Sequence, residues 1–184
     1  MRGLALAAGA AALAAAVPAR AAVVESGAGG FFVRHAVDVQ AAPARAWQAL
    51  VDVGAWWNPA HTYSGVARNL RLDPRPGGCF CERLPEHGGV EHARVVYVAP
   101  RAALRLNGAL GPLQSAGVAG SLTFTLKPLT EGRTRITLEY SVGGFMAGGL
   151  DRIAAGVDGV LGEQLERLRD LVDTGRPAPG PPPP

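Results

Sequence analysis

Residues 150–172 read LDRIAAGVDGVLGEQLERLRDLV, and their spacing decides the fold. Leu150, Ile153, Ala154, Val157, Val160, Leu161, Leu165, Leu168, Leu171 and Val172 recur mostly at helical intervals, which places them on one stripe. The segment is predicted to be one amphipathic helix roughly 35 Å long, enough to cross a small domain. Its other face carries Arg152, Asp158, Glu163, Glu166, Arg167, Arg169 and Asp170, with Glu163 and Arg167 at the favourable i,i+4 spacing. Mixed charge of this kind marks a solvated face, whereas a membrane-binding face would be mostly basic. Gly175 and Pro177 supply the stop. Gly156, Gly159 and Gly162 interrupt the middle, each at a cost of about 1 kcal/mol relative to alanine. Close packing of helix on strand is the favoured explanation; room for a ligand beneath the helix is the alternative.

A helix of that length needs a broad partner, and the chain before it supplies strands. Residues 31–40 alternate, with Phe31, Val33, His35, Val37 and Val39 on one side. Pro43 then opens a short helix over residues 44–57, ended by Asn58 and Pro59. Six further strands are predicted at residues 66–72, 79–84, 90–98, 103–107, 118–127 and 134–142, separated by Gly- and Pro-rich turns. Leu122, Phe124 and Leu126, then Ile136, Leu138, Tyr140 and Val142, give the last two strands an apolar face. Short connections imply antiparallel neighbours. The predicted class is α+β: a curved antiparallel sheet of about seven strands wrapped around a long C-terminal helix, with a short helix after the first strand.

The ends of the 184-residue chain stand apart from this domain. Residues 1–21 combine Arg2, an Ala/Leu run and Ala19-Arg20-Ala21, the pattern of a secretory signal peptide cleaved after Ala21. An uncleaved anchor is the lesser alternative, because the run is short for a membrane span. Residues 22–30 read as a linker, 31–174 as the domain and 175–184 as a Pro-rich disordered tail. Without Arg2 and Arg20, sixteen basic residues face fifteen acidic ones. Lys127 is the only lysine and no basic stripe exists, which argues against nucleic acid as a partner. The expected location is periplasmic or secreted, with no stable membrane insertion after cleavage. Such a compartment permits disulfides, but Cys79 and Cys81, two apart on a strand, sit near the upper limit of the separation a disulfide spans. Two reduced thiols are expected, with no metal and no cofactor; a metal pair completed by histidines would lack the usual ligand spacing.

The order strand, short helix, six strands, long helix resembles the START-like helix-grip superfamily, also called Bet v 1-like or SRPBCC. Residues 56–65 (WWNPAHTYSG), 77–82 (GGCFCE) and 142–145 (VGGF) look like bacterial proteins labelled polyketide cyclase/dehydrase or Hsp90-ATPase-activator homologues. The resemblance spans about residues 31–174. It implies the fold and an apolar cavity between sheet and C-terminal helix. One function does not follow from it, since lipid carriers, hormone receptors, cyclases and chaperone regulators share the scaffold. The chaperone label suits an exported chain poorly, since such a chain would not meet cytosolic Hsp90.

Such a cavity is the default ligand site. Trp56, Trp57, His61 and Tyr63 stand where the first helix hands over to the sheet, as a mouth of flat side chains or, for the tryptophans, as a plug of the core. Phe124, Tyr140, Phe145, Ile153, Gly156 and Val157 complete the candidate ligand-contacting set. His35 and His92 lie on predicted apolar faces and could serve as general base or polar anchor, although a satisfied core histidine is the commoner case. Glu82 shares a face with Phe80 and Leu84 and, if buried, needs a partner; Arg94 and Arg105 are the expected ones. The apolar run 108–117 is either a lid or a loop packed on the sheet edge. No phosphate loop, nucleophile elbow or His-rich metal spacing is present. The favoured function is binding of a small, largely apolar or aromatic ligand without transforming it. The alternatives are an enzyme of cyclase, dehydratase or hydrolase type, and a protein-interaction domain with a filled core whose partner the sequence does not identify.

Overall fold

The two strands with the cleanest alternation form the middle of the sheet in a computed structural model, which describes residues 22–179. The elements are β1 (Ala22–Gly27), β2 (Gly30–Val39), α1 (Pro43–Val51), β3 (Leu70–Leu72), β4 (Cys79–Arg83), β5 (Gly89–Ala99), β6 (Ala103–Asn107), β7 (Gly117–Pro128), β8 (Thr134–Phe145) and α2 (Asp151–Thr174). The strand order is β1-β2-β8-β7-β6-β5-β4-β3, antiparallel throughout. The class is α+β: a curved open sheet with α2 laid across it, the helix-grip arrangement. Among the described residues the sheet has eight strands, because residues 22–27 pair with β2 and are not a linker. The signal-peptide reading and residues 180–184 of the tail lie outside the described residues.

Inward residues of the sheet match the alternation: Phe31, Val33, Val37 and Val39 from β2, Leu122, Phe124 and Leu126 from β7, and Ile136, Leu138, Tyr140 and Val142 from β8 are all buried. Against them α2 buries Ala154, Leu161, Leu165, Leu168 and Val172. Gly175 closes the helix in the left-handed conformation (φ 81°), its N–H on Leu171 O, as the sequence predicts. The helix is not apolar on its whole inner face. Asp158 and Arg167, expected on the solvated face, are buried with Gln164. Asp158 Oδ1 meets His35 Nε2 at 2.8 Å, which fixes α2 to β2. Arg167 donates from Nε to Trp56 O at 2.8 Å and from Nη1 to Ala178 O, so the described start of the tail is held against the helix. The expected Glu163–Arg167 pair is therefore replaced: Glu163 accepts from Asn58 Nδ2 and lies 3.3 Å from His61 Nε2.

The short helix α1 ends at Val51 and three-residue 3₁₀ turns follow at Val53–Ala55 and Pro59–His61. Gln164 Oε1 accepts the Asn58 N–H at 2.7 Å, so residues 56–61 are tied to α2 by three side chains of that helix. This lacing places the rim of the site.

Candidate functional site

A cavity of about 580 Å³ opens between α2 and the β3–β5 end of the sheet. From α2 it is lined by Ile153, Gly156, Val157, Val160 and Leu161, and from the sheet by Leu70, Phe80 and His92. Residues 57 and 60–63 form one lip and residues 110–112 the other. A cavity of this size between helix and sheet weighs against the filled-core reading. Tyr63 Oη joins the lips by donating to Gly111 O at 3.1 Å. The apolar loop is packed on the sheet edge: Leu113 is fully buried, and Gln114 Nε2 donates to Glu91 O at 3.1 Å. Tyr140 secures it from below, its hydroxyl donating to Gly108 O at 2.9 Å and accepting from Leu110 N at 3.1 Å. Burial pushes the Tyr140 pKa up to about 12, so this hydroxyl stays neutral and structural.

Behind the lining residue His92 stands a buried carboxylate, Glu82 on β4. Its Oε1 accepts from Ser64 N at 2.6 Å, and its Oε2 from Tyr63 N at 3.1 Å and from His92 Nε2 at 3.0 Å. The expected partners are elsewhere: Arg94 binds Glu91 and Gly77 O, and Arg105 donates to Thr123 Oγ1. His92 reaches Glu82 because of a β-bulge. Phe80 pairs with Ala93 but Cys81 pairs with Glu91, which leaves His92 as the extra residue of β5 and turns both His92 and Ala93 inward. Burial works to raise the Glu82 pKa, but the donors from Ser64, Tyr63 and His92 outweigh it and hold it below the ordinary 4.5. Burial lowers the His92 pKa below 6.5, and the Glu82 carboxylate offsets this only in part. At neutral pH the pair is therefore a carboxylate and a neutral imidazole whose Nε2–H is donated to Glu82, with Nδ1 as the acceptor.

Of the residues singled out from sequence, Trp57, His61, Tyr63, Ile153, Gly156, Val157 and His92 line the cavity. Trp56 (1% exposed), Phe124 and Tyr140 are core residues outside the lining, and Phe145, 76% exposed, stands at the far end of β8. His35 is spent on Asp158 and does not line the cavity. Residues 110–112 belong to the loop expected as a lid or an edge-packed segment, whereas Phe80, Leu70, Val160 and Leu161 are not singled out by the sequence; Val160 and Leu161 lie on the helical stripe, and only the helix's rotation over the sheet selects them. Flat rings are nevertheless concentrated here. Phe80 lies 5.5 Å from Trp57 and 5.0 Å from His92, and Tyr63 lies 5.9 Å from His92, centroid to centroid.

The expected pair of free thiols is corrected: Cys79 and Cys81 are joined as a disulfide, with a Cα–Cα separation of 5.4 Å. Beside the bulge, β4 brings the two residues within ordinary disulfide range. Cys79 and Cys81 flank Phe80 on the opposite face. Among the described residues the group that clusters with them is Glu91, and no histidine does. Thiol titration of the denatured, unreduced protein should find neither cysteine free; recovery of both thiols would overturn the pairing.

Residues 31–173 match the model of the family described as polyketide cyclase / dehydrase and lipid transport. No curated protein matches the chain. Among solved structures it is similar to the conserved protein of unknown function EF2215 from Enterococcus faecalis, at 17% identity over 82% of this chain and 75% of that one, with a TM-score of 0.55. CalU16 from Micromonospora echinospora is similar at 15% identity over 82% and 78%, TM-score 0.54. DynU16, from the dynemicin biosynthetic locus, is similar at 20% identity and TM-score 0.57 over 79% of this chain, which spans about half (48%) of that protein. Identities this low establish the shared fold, and the family match over most of the chain settles membership: the protein belongs to the polyketide cyclase / dehydrase and lipid transport family.

Proposed function

We propose that the protein is an exported binding domain that takes a small, largely apolar molecule into the cavity between α2 and the sheet. The cavity carries this reading: about 580 Å³, within the size of small-molecule sites, with walls of Leu, Ile, Val, Phe and Trp side chains and few polar groups. Export rests on the character of residues 1–21, with Arg2, an Ala/Leu run and Ala19-Arg20-Ala21. A cavity enzyme is the second reading, favoured by one observation, the Glu82–His92 pair at the wall: a histidine held by a carboxylate has the form of a general base.

Native mass spectrometry of the protein recovered from its own host tests both parts. The expected mass is that of a chain starting near Ala22, carrying a small molecule that is released on denaturation. A chain recovered from the cytoplasm with Met1 intact would overturn export. A protein that carries nothing and takes up no added naphthalene would overturn the binding reading.

A further inference from the structure

The polar groups of the cavity specify more than an apolar guest. No arginine or lysine is among its lining residues, so the carboxylate of a fatty acid or a phosphate head group would enter without a fixed positive partner. The one buried ionisable ring in the lining is His92. Its Nε2 is committed to Glu82, and Glu82 is held by Tyr63 N and Ser64 N, so the carboxylate cannot swing away. Nδ1 has no hydrogen-bond partner among the described residues. With Nε2–H donated to a carboxylate, Nδ1 presents a lone pair and no proton. A guest without a donor would leave that lone pair dry and unmatched, and a guest with only acceptor oxygens would face it lone pair to lone pair. Phe80 and Tyr63, which neighbour the imidazole, and Trp57, which packs on Phe80, supply surfaces for a flat ring.

We propose that the cavity selects aromatic molecules bearing a phenolic or enolic hydroxyl, whose O–H is donated to Nδ1 of His92, and that Glu82 is the positioning residue that fixes the accepting tautomer. This inference rests on the binding reading above and adds a required donor to it.

The test compares three probes of one shape on the full mature protein: 2-naphthol, its methyl ether 2-methoxynaphthalene, and naphthalene. A buried hydrogen bond of this kind should make 2-naphthol bind roughly ten- to a hundredfold more tightly than either of the others. In His92→Phe the three affinities should converge. Glu82→Ala is the sharper variant. Without the carboxylate nothing holds the proton on Nε2, so Nδ1 is free to carry it and the preference for 2-naphthol over its methyl ether should shrink. A role for Glu82 in stability alone would lower all three affinities together and leave their ratios intact, which would overturn the positioning assignment. Equal binding of 2-naphthol and its methyl ether by the unaltered protein would overturn the donor requirement while leaving the cavity reading standing. Failure of all three probes to bind would overturn the cavity reading itself. Because the central comparison uses the unaltered chain, it does not depend on either variant folding.

Discussion

Replacing Glu82 with alanine should destabilise the protein by about 3 to 5 kcal/mol at pH 7, the usual cost of breaking a buried charge network on one side. The carboxylate is only 2% exposed and takes three donors: Ser64 N, Tyr63 N and His92 Nε2. Alanine strands all three away from water and leaves a void between β4 and the 60–64 lip. Glu82→Gln, which keeps the volume and at least one acceptor contact, should cost less. Urea unfolding at pH 7 measures both variants; a loss below about 1 kcal/mol for Glu82→Ala would mean that these donors find water instead. The same pair sets an acid limit. The His92 pKa is lowered in the fold, so its contribution is complete above the ordinary 6.5 and fades as pH falls from there toward the lower folded value. The Glu82 pKa is lowered too, so its contribution is present above 4.5 and is lost as pH falls through the value it has in the fold. Stability of the unaltered protein should therefore decline as pH drops below about 6.5 and again below about 4.5. Glu82→Ala should show a smaller second decline, the remainder coming from carboxylates such as Asp38, whose pKa the Arg135 hydrogen bond also lowers.

What could be read from the chain, and what could not, divides along periodicity. The alternation of β2, β7 and β8 is periodic enough to name their buried faces without knowledge of any partner, and the stripe on α2 names the apolar part of its own. The candidate site depends on places where the period breaks. In β5 simple alternation puts the even residues 90, 92, 96 and 98 on one face, but bulges at His92 and Val96 reset the parity, so that His92, Ala93 and Val95 are buried while Val96 and Tyr97 are exposed. A bulge depends on the neighbouring strand, and no local residue pattern in β5 announces it. This is why Glu82 could be placed on an inner face from its position beside Phe80, while its partner could not be named. Asp158 and Arg167 were assigned to solvent for a related reason. A charged residue is exposed by default, and its exception here is supplied by groups 123 and 111 residues away, the His35 ring and the Trp56 carbonyl.

The three glycines of α2 should separate into three behaviours when each is replaced by alanine, because only one is pressed against anything. A Cβ built on Gly162 would lie 2.8 Å from Cε1 and 3.2 Å from Nδ1 of His35. That ring cannot yield cheaply, since it stands on β2 and is bonded to Asp158 of the same helix. Overpacking of about 1 to 3 kcal/mol is expected against a gain of at most about 1 kcal/mol from helix propensity, so Gly162→Ala should be destabilising by up to about 2 kcal/mol. Nothing lies within 4 Å of a Cβ at Gly156 or Gly159. Both substitutions should therefore stabilise the empty protein by as much as about 1 kcal/mol. They differ in what the methyl meets next. Gly156 lines the cavity, so its methyl enters the guest's space and should weaken naphthalene binding; Gly159 is exposed outside the lining and should leave binding unchanged. Close packing thus explains Gly162, room for a guest explains Gly156, and nothing in the structure explains Gly159. Urea unfolding with and without naphthalene measures all three. Loss of stability in Gly156→Ala with unaltered binding would show that the helix rests on the sheet at that point and that the cavity does not extend beneath it.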